Sequence, residues 1–348
     1  MDLSALREPI VLAPLAGGAS TPRLAAAVNE AGGLGFLAAG YKTPHAVRAD
    51  IRELRSLTRE PFGVNIFAPP SPAVDSGAVA TYAARLAAEA DRYGVELGEA
   101  RHDDDDFEAK LALVVDERIE IVSFTFGCPR SEVVAQLREA GCDVWVTVTN
   151  PDEAIEARDA GSNVLVVQGS EAGGHRGYFR DASDADDLGL LVALRLVAHC
   201  VELPLVAAGG IADGAAVAAA LCAGATAVQV GSALMLTPEA ATSAPHRAAL
   251  ASAAATRLTR AFSGRQARGI VNRFMEEHGD EAPIAYPDVH HLTTPIRSAA
   301  REAGDPQAMN LWAGQAHSLA QDAPAAEVVR RLSAEARAVA GEVARRLG

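Results

Sequence analysis

One local pattern recurs along the chain and restricts what it can fold into. A helix-like stretch closes on Ala-Gly, and a short run of apolar or β-branched residues follows. The pattern appears at Ala31-Gly32, Ala140-Gly141, Ala160-Gly161 and Ala223-Gly224. Glycine suits the left-handed residue that ends a helix, and the run after it fits a strand buried on both faces. Helix then strand, repeated, marks a parallel sheet with crossover helices. Eight strands are predicted, at 10–13, 34–38, 62–66, 119–124, 144–148, 164–168, 205–208 and 227–230. Thr21-Pro22, Thr43-Pro44 and Asn150-Pro151 each put a capping side chain before a proline at the first helical position. The expected fold class is α/β, a (β/α)8 TIM barrel. A doubly wound open sheet is the alternative.

The 348 residues exceed the roughly 250 of such a barrel, so an addition is expected. The barrel pattern stops after Met235, which divides the chain into 1–235 and 236–348. Alanine-rich helical segments are predicted over about 238–258 and 325–347, with a less regular stretch at 262–312. We read this as a helical lobe covering the barrel mouth, with the last helix returning to the barrel's side. The spacing inside the barrel is uneven between 66 and 119. That interval holds a proline-rich loop (Pro69, Pro70, Pro72), a helix over about 78–93, and the acidic run from His102 to Asp106. Consecutive aspartates point in different directions, so the run reads as a solvated loop rather than a metal site.

The formal net charge of −14 argues against a general nucleic-acid or anionic-membrane binder. The four cysteines (Cys128, Cys142, Cys200, Cys222) lack paired metal or redox spacing and read as reduced, mostly packed thiols. No basic, then apolar, leader opens the sequence, and no apolar run reaches the ~20 residues of a membrane span. A soluble, cytoplasmic protein without a metal is expected.

In such a barrel the site lies at the carboxyl ends of the strands. Gly209-Gly210-Ile211-Ala212-Asp213-Gly214 and Gly231-Ser232 follow the last two strands, where barrel phosphate sites are often built. Either loop alone could be ordinary turn geometry, but together on the last two strands they point to a phosphate site. Asn65 and Gln168 are amides ending apolar strands; packing partners or the polar edges of a flat ligand would satisfy them. The sharpest segment runs from Gln168 to Gly177. Its small residues let backbone approach a planar ligand, and they leave His175 as the obvious acid–base group. His45, His199, His246, His278 and His317 have no such context and read as structural or surface residues.

These segments resemble the nitronate monooxygenase family over nearly the whole chain. The likeness rests on Ala13 to Gly18, Gly63-Val64-Asn65, Gln168 to Gly177, Ala207 to Gly214 and Gln229 to Ser232. Thr259 to Arg265 and Leu311-Trp312-Ala313-Gly314-Gln315 also match. Leu15 stands where the family often has Met, a swap of similar volume. The Glu-Ala-Gly-Gly-His string is shared with flavin-dependent enoyl-ACP reductases, whereas His175-Arg176-Gly177 and the Trp312 segment favour the nitronate enzymes. The resemblance implies FMN held by Asn65, Gln168, Gly173, Gly210, Gln229, Val230, Gly231 and Ser232, with His175 catalytic. Lys42, Tyr286, His290 and His291 are further pocket candidates without an assigned catalytic role. The implied reaction oxidises an alkyl nitronate, such as propionate 3-nitronate, with O2 to a carbonyl compound and nitrite, a detoxification. The partners are then a small nitronate and O2, with a homodimer left open. The alternatives are an enoyl-ACP reductase-like enzyme using FMN and a nicotinamide nucleotide, and a catalytically idle FMN-binding protein.

Overall fold

The computed structural model describes residues 2–70, 74–182 and 187–348. Its main sheet has eight parallel strands: β1 (Ile10–Leu12), β2 (Gly35–Ala38), β3 (Phe62–Phe67), β4 (Ile121–Thr125), β5 (Asp143–Val148), β6 (Val164–Gln168), β8 (Leu205–Ala208) and β9 (Ala227–Val230). Their order is β1-β9-β8-β6-β5-β4-β3-β2. The ends meet through a parallel bridge between Val11 and Leu34, with Leu12 N donating to Leu34 O and Leu34 N to Ile10 O, each at 2.9 Å. The sheet is therefore a closed barrel, and all eight expected strands are in it. The four Ala-Gly signals also work as expected: Gly32, Gly141, Gly161 and Gly224 all have φ between 88° and 111°.

Counting by twos along the strands separates two apolar layers. Ile10, Leu12, Val122, Val144, Val146, Leu165, Val167 and Val228 face the helices. Phe36, Ile121, Trp145, Val164, Val166 and Val206 fill the barrel interior, and Leu3 joins them. Phe36 and Trp145 pack at 5.4 Å between ring centroids and plug the lower interior. A Cβ on Gly63 would lie 2.2 Å from the Phe36 ring, so only glycine fits there.

Six helices fill the barrel's outer layer between consecutive barrel strands: α1 (Pro22–Ala31), α2 (Pro44–Leu57), α4 (Phe107–Asp116), α5 (Ser131–Glu139), α6 (Pro151–Asp159) and α7 (Leu190–Cys200). A seventh, α8 (Gly214–Cys222), lies between β8 and β9. Thr21, Thr43 and Asn150 cap α1, α2 and α6 as expected, each accepting from the backbone N–H three residues on. The eighth place is taken by α12 (Ala325–Leu347), which packs against α8 and α1. A Cβ on Gly214 would lie 2.1 Å from Glu335 Cβ, and that close approach brings the last helix onto the barrel.

The stretch before α12 needs correction. The expected helix over 238–258 shrinks to α9 (Ala244–Leu250), and Thr256–Thr259 is strand β10 instead. Alanine content favours a helix, but pairing of β10 with β11 (Ala267–Ile270) overrides that local preference. The residues read as irregular also hold α10 (Arg273–His278) and α11 (Asp288–Glu302). A second apolar core joins this region to α3 (Ser76–Tyr93): Val79, Tyr82 and Leu86 meet Phe262, Phe274, Val289 and Ile296. The acidic run is more than a solvated loop. Asp105 pairs with buried Lys110 at 2.7 Å, Asp103 with His291 at 2.8 Å, and His102 with Asp288 at 3.1 Å.

Candidate active site

Above the Phe36–Trp145 plug, the inward positions of the strands turn polar: Asn65, Ser123, Thr125, Thr147, Gln168 and Gln229. All but Ser123, which lies buried beneath, form the floor of a cavity of about 480 Å³ at the carboxyl ends of the strands. That volume falls within the usual range for small-molecule sites. Asn65 donates through Nδ2 to Ser123 Oγ (2.9 Å) and Thr125 Oγ1 (3.0 Å), while its Oδ1 accepts from no described residue. Gln168 is engaged at both ends: Oε1 accepts from Arg176 Nη1 (2.9 Å) and Gly177 N (2.8 Å), and Nε2 donates one hydrogen bond, to His175 O (3.0 Å). Its amide thus shapes the loop that carries His175.

That loop forms β7 (Gly174–His175), which pairs antiparallel with β11 in a three-stranded sheet, order β10-β11-β7. Two residues are too few for a periodic signal, so the strand escaped sequence reading. His175 lines the cavity, and its Nε2 lies 2.8 Å from Ser263 Oγ. The Ser263 hydroxyl also lies within donating distance, 3.2 Å, of Arg265 O. With the hydroxyl proton on that carbonyl, Nε2 keeps its own proton and Nδ1 is the basic nitrogen. Desolvation, then the charges of Arg265 and Arg297, push the imidazole down to about 3. Its accessible surface faces the cavity and not bulk water, so the neutral form dominates at neutral pH.

Gly173, Gly210, Gln229, Gly231 and Ser232 line the same cavity with Asn65 and Gln168. Val230 does not; its side chain is buried in the layer between strands and helices. Gly210 has φ 68°, and its N–H and that of Ile211 donate to no acceptor among the described residues. The start of α8 is taken: Asp213 caps Ala216 N (2.8 Å), and Glu335 accepts from Gly214 N (3.0 Å). An anion would therefore meet the loops after β8 and β9 rather than that helix end. Gly173 is required by the lobe, because a Cβ there would lie 2.4 Å from Gly314 N. Ser232 Oγ accepts from Gly314 N at 2.9 Å.

Of the further candidates, His290 lines the cavity, stacked on Tyr41 at 4.2 Å. Tyr286 stands behind it, bonded to the Tyr41 hydroxyl at 3.1 Å. His291 pairs with Asp103, and Lys42 turns to Asp50 at 2.5 Å; neither lines the cavity. Sequence reading missed Tyr41, Phe126, His246, Arg297, Arg301 and His317, which all line it. His246, read as structural or surface, has its pKa pushed down to about 4, chiefly by desolvation. Tyr41 and Phe126 have φ of 64° and 78°. Left-handed aromatic residues are costly and collect at functional sites. Among the described residues, two arginines and not one Asp or Glu line the cavity, although the whole chain is acidic.

A closed barrel whose strand ends enclose a glycine-walled, cationic cavity, with the neutral His175 imidazole on its wall, defines a ligand-binding barrel enzyme. The comparisons sharpen this. The sequence profile of the family described as nitronate monooxygenase matches residues 2–335. Nitronate monooxygenase of Pseudomonas aeruginosa is 40% identical, the match covering 96% of this chain and 98% of that one. Nitronate monooxygenase of Paraburkholderia phytofirmans is 39% identical, covering 96% and 94%. The structure of nitroalkane oxidase from Streptomyces ansochromogenes superposes with TM-score 0.95 at 51% identity, over 98% of this chain and 99% of that one. FabK from Thermotoga maritima is more distant, with TM-score 0.73 at 25% identity, over 98% and 96%. The chain belongs to the nitronate monooxygenase family, a family of flavoenzymes.

Proposed function

We propose that this chain oxidises small alkyl nitronates with O2 to a carbonyl compound and nitrite, using FMN and no nicotinamide nucleotide. The observation that carries the reading is the neutral His175 imidazole, held by Ser263 and facing a cavity lined by arginine and, among the described residues, by no carboxylate. A nitronate is an anion, and such a cavity favours it electrostatically. In this reading residues 1–235 are the flavin-holding barrel, and 236–348 form the lobe that covers the substrate.

The residues present fit a flavin. The wall around Gly209, Gly210 and Gly231 admits a flat ring against backbone, and the free Asn65 Oδ1 offers an acceptor to a ring N–H. The unpaired N–H groups of Gly210 and Ile211 suit a single phosphate. When bound, FMN supplies the electron transfer between nitronate and O2. The chain's part is to hold, orient and exclude water. Phe126, Trp312 and Phe262 wall the cavity with apolar rings. His175 Nδ1 is placed to accept a proton from the α-carbon of a neutral nitroalkane, while Ser263 fixes the ring's tilt.

The deciding experiment is aerobic turnover of propionate 3-nitronate with and without NADPH, read as nitrite release. The cofactor is identified by mass after heat release. Nitrite formed equally in both arms by an FMN-loaded protein is expected. The likeness to FabK supports one rival, a nicotinamide-dependent reductase. Rapid anaerobic bleaching of the flavin by NADPH, without nitrite formation, would replace our reading with that one.

A further inference from the structure

We propose that Arg297 binds a second anionic group of the substrate, so that the cavity selects nitronates carrying a carboxylate at the end remote from the reacting carbon. This rests on the nitronate reading above. The helix α11 forms one wall of the cavity, presenting His290, Thr294, Arg297, Ser298 and Arg301 at helical spacing. Arg297 is only 8% exposed. Its Nε donates to Thr293 Oγ1 at 3.0 Å. Its Nη2 donates to His290 O and Thr294 Oγ1, both at 2.8 Å. All these acceptors are neutral. Nη1 has no partner among the described residues, and no carboxylate pairs with the guanidinium there.

A buried cation without a counter-ion is costly to fold around. Desolvation drives the Arg297 pKa down to about 10, so it still carries its charge at neutral pH. Three of its N–H directions are fixed by neutral groups, which leaves one nitrogen held in place with nothing to hold. That is the geometry of a prepared anion site. The anion it awaits is distinct from a cofactor phosphate. The free backbone N–H groups for a phosphate rise from the loop after β8, whereas the Arg297 charge acts on Tyr41, His175 and His290. A nitronate whose reacting carbon sits at His175 therefore has its remote end toward Arg297.

The test compares propionate 3-nitronate with propyl-1-nitronate, which has the same carbon chain and no carboxylate. In Arg297→Gln holoenzyme the ratio of kcat/KM for the two substrates is expected to fall about 10- to 100-fold, mostly through KM. Arg297→Lys, which keeps the charge, should recover part of that ratio. An unchanged ratio overturns the proposal, as does loss of FMN from Arg297→Gln, which would assign the residue to the phosphate. A second arm needs neither turnover nor a variant. Succinate and butyrate are dead-end mimics of the two nitronates, and their binding to wild-type holoenzyme is read from the flavin absorption spectrum. Succinate is expected to bind at least about tenfold more tightly. Equal binding overturns the proposal, even if Arg297→Gln fails to fold. If neither nitronate is turned over, the proposed activity fails, and the succinate–butyrate comparison, repeated with Arg297→Gln and with Arg301→Gln, still decides the role of Arg297: a preference lost only with Arg301→Gln overturns it.

Discussion

Replacing His175 with Asn separates two things an imidazole does here. Asn puts an amide near the Nδ1 position, too short to reach Ser263 Oγ as Nε2 does, and it lacks a basic nitrogen. A neutral nitroalkane must lose its α-proton before it can be oxidised; a nitronate has already lost it. General-base catalysis is typically worth about 10²–10⁴-fold. Burial, Arg265 and Arg297 hold the His175 pKa at about 3, well under its ordinary 6.5. A weaker base sits at the low end of that range, so nitroalkane oxidation by His175→Asn is expected to fall about 10²-fold. Nitronate oxidation should fall less, about tenfold or under, because there the ring only orients and excludes. The pH dependence follows from the sign of the shift. The free base exists above the folded pKa, so wild-type nitroalkane turnover shows no acid limb near pH 6.5. The assay is nitrite release from both substrates at fixed O2, normalised to bound flavin. Equal loss on the two substrates, or an acid limb near 6.5, refutes the base. Full activity on both makes His175 structural.

Two further outcomes follow from the same geometry. Gly173→Ala puts a methyl 2.4 Å from Gly314 N, so the lobe segment must move; a loss of about 1–3 kcal/mol in chemical denaturation is expected, and an unchanged midpoint would show that the contact is slack. The protein should also lose stability in mild acid. His175 and His246 titrate at about 3 and about 4 when folded, so the unfolded chain binds more protons below pH 6.5 and stability declines as pH falls from there. Each contributes a loss of about 2 kcal/mol at pH 5, and a denaturation free energy equal at pH 5 and pH 7.5 would contradict the burial of these rings.

The barrel was legible because its signals are local. Ala-Gly helix ends, Thr-Pro and Asn-Pro helix starts and runs such as Val164 to Val167 each report a structure set within a few residues. The loops carrying Gly210, Ser232 and His175 were legible for the same reason, since small residues at strand ends have few other uses. The lobe was not, because its strands exist only as partners. Thr256–Thr259 becomes a strand by facing Ala267–Ile270, and Gly174–His175 becomes one by adding to that pair. Arg297 and Arg301 were invisible for a different reason. On a helix of mixed composition an arginine reads as solvent-facing; the packing of α11 buries Arg297 against the cavity, while Arg301 borders the cavity and stays exposed. His246 also lines the cavity, bonded to Trp312 O, sixty-six residues away in sequence, a contact that sequence spacing does not reveal.

The arrangement around His175 bears on how the lobe works. A lid that swings freely would leave the barrel's own site intact. Here the His175 loop is the edge strand of the lobe's sheet, and the imidazole's partner, Ser263, comes from the lobe. Glu171 joins the two twice, its carboxylate accepting from Leu190 N at the start of α7 and its carbonyl from Gln315 N in the lobe. Arg268 Nε of β11 donates to Ser170 O at 2.8 Å. Lifting the lobe would therefore break β7 from β11, release the ring from Ser263 and free the 170–174 loop. The lobe and the His175 imidazole form one packed unit. The exposed α11 residues Thr294, Ser298 and Arg301, which border the cavity, mark a route past a cationic rim. An anionic substrate is drawn along such a rim.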